Sequence, residues 1–136
     1  MLRVFIDSNI LFSAIAFPGS TARRVVERIF QTGTLVVCSY SIDEIKMVFA
    51  RKLPNKLDVW EEFLKTAPIE LVDTPSGLKE QELPYIRDEK DIPILASVLL
   101  SQPDCFVTGD KDFHTDEIKK RIKVLTPAEF LLEFGD

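Results

Sequence analysis

The sequence predicts an α/β fold, a three-layer sandwich built on a mostly parallel sheet, from three observations. Short apolar runs of strand length alternate with helical stretches along the chain. Two of these runs, "LRVFID" and "CFVTGD", read as buried strands that pass straight into carboxylates, Asp7 in the first and Asp110 in the second. In a parallel sheet the carboxyl ends of the strands open onto one edge, so acids far apart in sequence arrive there together.

Taken in order, "LRVFID" is the first strand, and Ser8 or Asn9 is placed to cap a helix over "NILFSAIAF". "PGS" breaks that helix before a second, "TARRVVERIFQTG", in which Gly33 reads as a helix stop. "TLVVCS" is the second strand. In "SYSIDEIKMVFARKL" the residues Ile42, Ile45, Val48 and Phe49 repeat at helical spacing until Pro54 ends the pattern. An amphipathic helix, "NKLDVWEEFLKTA", precedes the strand-like "IELVDT". Pro75, Gly77 and Pro84 mark residues 75–88 as the one long surface connection. "DIPILASVLLSQ" is apolar over most of its circumference and reads as a buried helix. "CFVTGD" follows as a strand, "TDEIKKR" as a short charged helix, "IKVLT" as a last strand, and "PAEFLLEF" as a final helix with Pro127 in its first turn. At 136 residues the chain is a single domain over residues 1–136.

Composition sets the class. Apolar residues are 46% and charged residues 29%, the balance of a soluble globular protein. The longest apolar runs fall short of the roughly 20 residues that cross a bilayer. Asp7 interrupts the apolar start and no cleavage site follows, so the chain reads as having no signal peptide and no membrane partner, and as cytoplasmic. Cys38 and Cys105 have neither redox nor zinc spacing and read as buried free thiols at opposite edges of the sheet. His114 is the single histidine and sits in a polar stretch at the surface, which leaves little room for a nucleophilic triad. The formal net charge of −5 is uneven: residues 88–117 hold eight acids against two lysines, and residues 21–56 hold seven bases against three acids. That basic flank, with Arg23, Arg24 and Arg28, suits a phosphate-rich substrate or simply a solvated helix face.

The acids have two readings each. Glu44 completes a Ser41-x-x-Glu44 capping box, Asp91 and Asp88 stand where they would cap the buried helix, and Asp7 suits a turn. Convergence on one edge is something capping does not require. Convergent carboxylates raise one another's pKa unless a cation holds them, and an all-oxygen donor set without Cys or His suits Mg²⁺ or Mn²⁺ and not zinc. Such an ion supports water attack on phosphorus, while Arg and Lys grip the substrate's phosphates.

The residues resemble a known family, the PIN domain nucleases, including the VapC-like toxin components of bacterial and archaeal toxin–antitoxin systems. The resemblance rests on "FIDSN" with Asp7 and Asn9, "CSYSIDEIKMVFARK" with Glu44, "RDEKDIPILASVLL" with Asp91, and "DCFVTGDKDF" with Asp104, Thr108, Asp110 and Asp112. It implies a Rossmann-like sheet and a Mg²⁺- or Mn²⁺-dependent endoribonuclease acting on single-stranded RNA. Asp7, Glu44, Asp91 and Asp110 then match the metal-binding and catalytic acids, with Asp112 a fifth metal-binding acid. Asn9 and Thr108 match positions that orient the acids or an attacking water, and Asp88 is either a supporting acid or a cap. The implied partners are single-stranded RNA, an antitoxin protein and a second copy of the chain. Two other readings are a non-catalytic PIN-like scaffold that binds RNA or protein, and a phosphatase or phosphotransfer domain. The second is weakened by Asn9, which stands where a haloacid-dehalogenase motif needs its second Asp.

Overall fold

The computed structural model describes residues 1–76 and 82–135. Five parallel strands form one sheet in the order β3-β2-β1-β4-β5. They are β1 (Leu2–Ile6), β2 (Gly33–Cys38), β3 (Ile69–Val72), β4 (Cys105–Val107) and β5 (Val124–Leu125). Between them run α1 (Ser8–Ala16), α2 (Thr21–Thr32), α3 (Ser39–Lys52), α4 (Leu57–Thr66), α5 (Ile92–Ser101), α6 (Asp116–Lys119) and α7 (Pro127–Phe134). The long connection expected over residues 75–88 is described in part, since Gly77 and its neighbours to residue 81 lie outside the described residues.

The strands are apolar because both faces of the sheet are covered. Successive strand side chains point to opposite faces. Val4, Ile6, Leu35, Val37 and Val107 therefore pack under the layer of α1, α2, α3, α4 and α7, with Leu11, Val25, Ile29, Phe49, Trp60 and Phe130. Phe5, Val36 and Phe106 face the other way, against Ile94, Leu95 and Val98 of α5 and Ile118 of α6. The Phe106 ring stands edge-on to Phe5 at 5.6 Å and to Phe113 at 5.0 Å, and is fully buried. Truncating it to Ala would cost about 3–5 kcal/mol.

Gly33 stops α2 as expected, its amide bonding the Ile29 carbonyl, but in a different conformation from a left-handed cap. Its φ of −172° is extended and not left-handed, and it opens β2 directly behind α2. A Cβ there would lie 2.0 Å from the Leu2 carbonyl oxygen, so the close approach of β1 is what calls for glycine. The two cysteines are free and buried, Cys38 closing β2 and Cys105 opening β4. Burial pushes the Cys105 thiol up to about 12, so it remains protonated.

The chain order reverses between β1 and β4. From β1 it proceeds outward through β2 and β3, then returns to place β4 on the other side of β1. Ile6 is registered against Val107, so the residues just beyond these two strands meet at the switch point, where open α/β sheets bind ligands.

Candidate active site

Asp7 leaves β1 and at once caps α1: its Oδ1 accepts the Ile10 amide at 2.9 Å. Its Oδ2 accepts the hydroxyl of Thr108, the residue that follows β4. Thr108 is fully buried, and its hydroxyl oxygen also accepts the Asp110 amide at 3.1 Å. One threonine thus ties the end of β1 to the turn that carries Asp110. Asp7 is only 5% exposed. Burial raises its pKa, Thr108 and Ile10 pull it down, and Asp110 and Glu44 add a further upward push.

Glu44 is not part of a helix cap. The helix α3 begins at Ser39 behind Cys38, so Ser41 lies inside the first turn instead of at the cap position. The Ser41 hydroxyl meets Ser8 at 3.0 Å and the Cys38 sulfur at 3.4 Å. Glu44 Oε1 accepts the Ser8 hydroxyl at 2.5 Å, which draws the carboxylate across to the start of α1. The capping box is not formed.

Asp91 and Asp88 divide the two roles that the sequence left open. Asp88 is a cap: it accepts the Lys90 amide at 3.0 Å over the single 3-10 turn Glu89–Asp91. Asp91 precedes α5 and makes no capping bond with its side chain. Burial, then the charges of Asp110, Asp88, Asp112 and Glu44, raise its pKa from 3.8 to about 7.

The turn after β4 completes the group. Asp110 Oδ1 accepts the Asp112 amide at 2.9 Å. Carboxylate oxygens of Asp91, Asp110 and Asp112 lie within 4.8 Å of one another. Arg87 forks onto Asp112, with Nη2 at 2.9 Å and Nε at 3.1 Å from its oxygens. His114, expected at the surface, is half-buried, and its Nε2 lies 2.7 Å from the Thr108 carbonyl, where it braces the turn.

Asp7, Ser8, Asn9, Glu44, Asp91 and Asp110 line one cleft of about 60 Å³, the space of an ion and a few waters. Asn9 is exposed at its rim. Arg23 and Arg24 are elsewhere. The Arg23 guanidinium donates to the Ala14 carbonyl at 3.1 Å, against the last turn of α1, and borders an apolar groove between α2 and α4. Arg24 is exposed beside Arg28, Gln31 and Leu131. Asp104 is also remote, accepting the Arg3 amide at 2.7 Å before β4 begins. Sequence reasoning passed over Ser8 as a positioning group, although it sits inside "DSN", and it passed over Arg87 and Tyr40. Burial raises the Tyr40 pKa, and Glu44, Asp91 and Asp88 add to that rise, which places its hydroxyl in the field of the acids.

The architecture has counterparts among solved structures. The structure of VapBC2 from Rickettsia felis bound to a promoter DNA fragment matches with a TM-score of 0.68 at 14% identity, over 92% of this chain and 98% of that one. DNA-bound VapBC from Salmonella typhimurium matches with a TM-score of 0.63 at 15% identity, over 93% and 99%. VapC20 from Mycobacterium tuberculosis, a sarcin–ricin loop cleaving toxin, matches with a TM-score of 0.58 at 13% identity, over 82% and 92%. At these identities the likeness is one of fold. No curated protein matches the sequence. The sequence profile of the PIN domain matches residues 3–112, from β1 through the turn that carries Asp110 and Asp112, and the chain belongs to the PIN domain family.

Proposed function

We propose that this protein is a divalent-metal-dependent endoribonuclease that cleaves single-stranded RNA, and the toxin of a toxin–antitoxin pair. The observation that carries the reading is the meeting of Asp7, Glu44, Asp91 and Asp110, from four separate places in the chain, on one small cleft. Local capping accounts for Asp7 in part, and for neither Glu44 nor Asp91.

The donor set fits a hard cation. It is made of carboxylate oxygens, three of which, from Asp91, Asp110 and Asp112, lie within 4.8 Å of one another, and the pKa of Asp91 is raised by burial and then by neighbouring carboxylates whose charge a divalent ion would offset. Asp7, Glu44, Asp91 and Asp110 would hold Mg²⁺ or Mn²⁺, with Asp112 as a fifth acid. When bound, the ion supplies an activated water and offsets charge on the phosphodiester under in-line attack. The chain's own groups do the rest. Thr108 and the Ile10 amide fix the Asp7 carboxylate, and Ser8 fixes Glu44. Asp91, free of capping bonds, keeps its carboxylate available to the ion. Asn9 at the rim offers amide donors to a phosphate oxygen. Arg23 and Arg24 do not line the cleft, and on the far end of α1 and along α2 they offer charge to a more distant part of the strand or to a protein partner.

The toxin assignment and the RNA substrate draw support from the solved structures of like fold, which are described as VapBC assemblies and as a toxin that cleaves the sarcin–ricin loop. Incubation with mixed single-stranded RNAs tests the reading. Cleavage is expected with Mg²⁺ or Mn²⁺, is expected to stop in EDTA, and is expected to fall at least a hundredfold in Asp110→Asn. No cleavage with either ion would move the protein to the non-catalytic scaffold class. Co-expression with the product of the neighbouring reading frame tests the pairing, the expected result being a co-purifying protein that suppresses cleavage.

A further inference from the structure

Beside the acids lies a second, larger cleft of about 350 Å³, bordered by Leu83, Pro84, Tyr85, Ile86, Arg87 and Ile92. We propose that it holds one unpaired base of the RNA strand, with Tyr85 stacked on the base and Arg87 on the phosphate that leads to the acids. The proposal rests on the nuclease reading and names how that site holds its substrate.

Four observations support it. The volume is at the small end of the roughly 300–1,000 Å³ of small-molecule sites, a space suited to one planar base. The Tyr85 ring lies among Leu83, Pro84, Ile86 and Ile92, an aromatic and apolar part of the lining on which any base can stack, with Arg87 and Glu89 completing the wall. Tyr85 is 69% exposed while Ile86 beside it is buried in the core with Ile94, Leu95 and Phe113. Ile86, with Leu83 packed on the same cluster, anchors the segment to the core and leaves the Tyr85 ring exposed. Finally, Glu89 and Arg87 share the wall of the cleft, so a phosphate is drawn to the Arg87 side and an uncharged base suits the rest.

Arg87 joins this cleft to the acidic one. Its Nε and Nη2 hold Asp112, whose carboxylate lies within 4.8 Å of oxygens from Asp91 and Asp110. The side chain is 70% exposed, and a guanidinium has five N–H donors, so Asp112 leaves part of the fork for an anion. A cleft of carboxylates by itself repels a polyanion. A cation held at its rim by one of those carboxylates, next to a stacking surface, gives the strand a place to bind with a phosphate beside the acids.

Binding of a fluorescent single-stranded RNA, followed by anisotropy in EDTA with the full chain, tests the proposal apart from cleavage. Tyr85→Ala is expected to weaken binding roughly tenfold or more, and Tyr85→Trp to restore it. Arg87→Ala is expected to weaken binding and to lower the salt slope by about one. An RNA with one abasic nucleotide, moved along the strand, is expected to lose affinity at one position for the wild type and at none for Tyr85→Ala. The Tyr85 side chain is largely exposed, so unchanged melting should accompany the loss in Tyr85→Ala. If the wild type binds and cleaves RNA while Tyr85→Ala binds as tightly, the base site is wrong and the nuclease reading stands. If Tyr85→Ala abolishes self-association seen by sedimentation and leaves RNA affinity unchanged, the cleft is an interface between copies and the proposal is overturned. If the wild type neither binds nor cleaves RNA, both readings fall together.

Discussion

At the amino edge of the sheet, Asp104 accepts the Arg3 amide at 2.7 Å, and Glu70 takes the Arg3 guanidinium in a fork at 2.9 and 2.5 Å. The remaining Arg3 donor bonds the Ser101 and Gln102 carbonyls. At the carboxyl edge, Asp7, Asp91 and Asp110 gather with Glu44, and the cation that reaches them, Arg87, is bound to Asp112. The pKa shifts follow the same division. Arg3 holds the Glu70 carboxyl below its usual range, while burial and neighbouring acids raise Asp7 and Asp91. Acids that serve the fold are matched with donors. Asp7 and Asp110 also accept capping amides, but with Asp91 and Glu44 they are crowded with their own kind, and capping does not explain that crowding.

The contrast breaks if the crowded acids turn out to stabilise the protein. The largest effect is expected in Asp110→Asn, where RNA cleavage falls at least a hundredfold while the metal-free protein melts higher than the wild type. Relief of one like-charge contact is worth roughly 1 kcal/mol, or about 3 °C for a chain of this size. Calorimetry in EDTA reads the shift, and a lower melting temperature would return Asp110 to a purely structural turn. Mg²⁺ or Mn²⁺ should raise the wild type and leave the mutant nearly unmoved, because an ion bound to the folded state alone stabilises it by mass action.

A smaller effect concerns pH. Asp91 has its pKa raised from 3.8 to about 7, so between those values the folded chain holds a proton that the unfolded chain has lost. Metal-free stability should therefore fall as pH rises through that window, the penalty being absent below it and complete above it. Melting curves across the window should show this slope reduced in Asp91→Asn. An equal slope in both proteins would mean that Asp91 does not carry the buried charge.

The smallest effect sharpens the other side. Arg3 and Glu70 are both about one-third exposed, and a pair of that kind is worth about 0.2–1 kcal/mol. Arg3→Ala should lower stability by about 1 kcal/mol with its backbone bonds included, should do so less at high salt, and should leave cleavage per folded molecule unchanged.

Much of this was legible in the sequence because it depended on chain order alone. Apolar runs ending in acids gave β1 with Asp7 and β4 with Asp110, and parallel pairing brought those ends together. Glu44 was not decidable, since a capping box and a reach to Ser8 use the same Ser41-x-x-Glu44 pattern. Only the start of α3 at Ser39 separates them. Arg87 and Tyr85 were invisible for a different reason: they lie in a connection without periodicity, so nothing in their spacing shows which way they face. Arg23 and Arg24 do not line the cleft, because charge counted along the chain does not say which end of the α1 and α3 layer a neighbouring helix reaches.

The Thr108 hydroxyl that touches both Asp7 and the Asp110 amide makes the sheet register a ruler for the site. Val4, Phe5 and Ile6 are paired in step with Cys105, Phe106 and Val107, and each step alternates faces. Removing a single residue from β4 would shift this count by one, swap the faces of Phe106 and Val107, and point the 108 side chain away from Asp7. The spacing of the two strand-end acids is therefore inherited from backbone pairing several residues back in the core. Lengthening or shortening the connection before Asp88 leaves that count untouched, so chains of this fold can change what they grip without moving the acids.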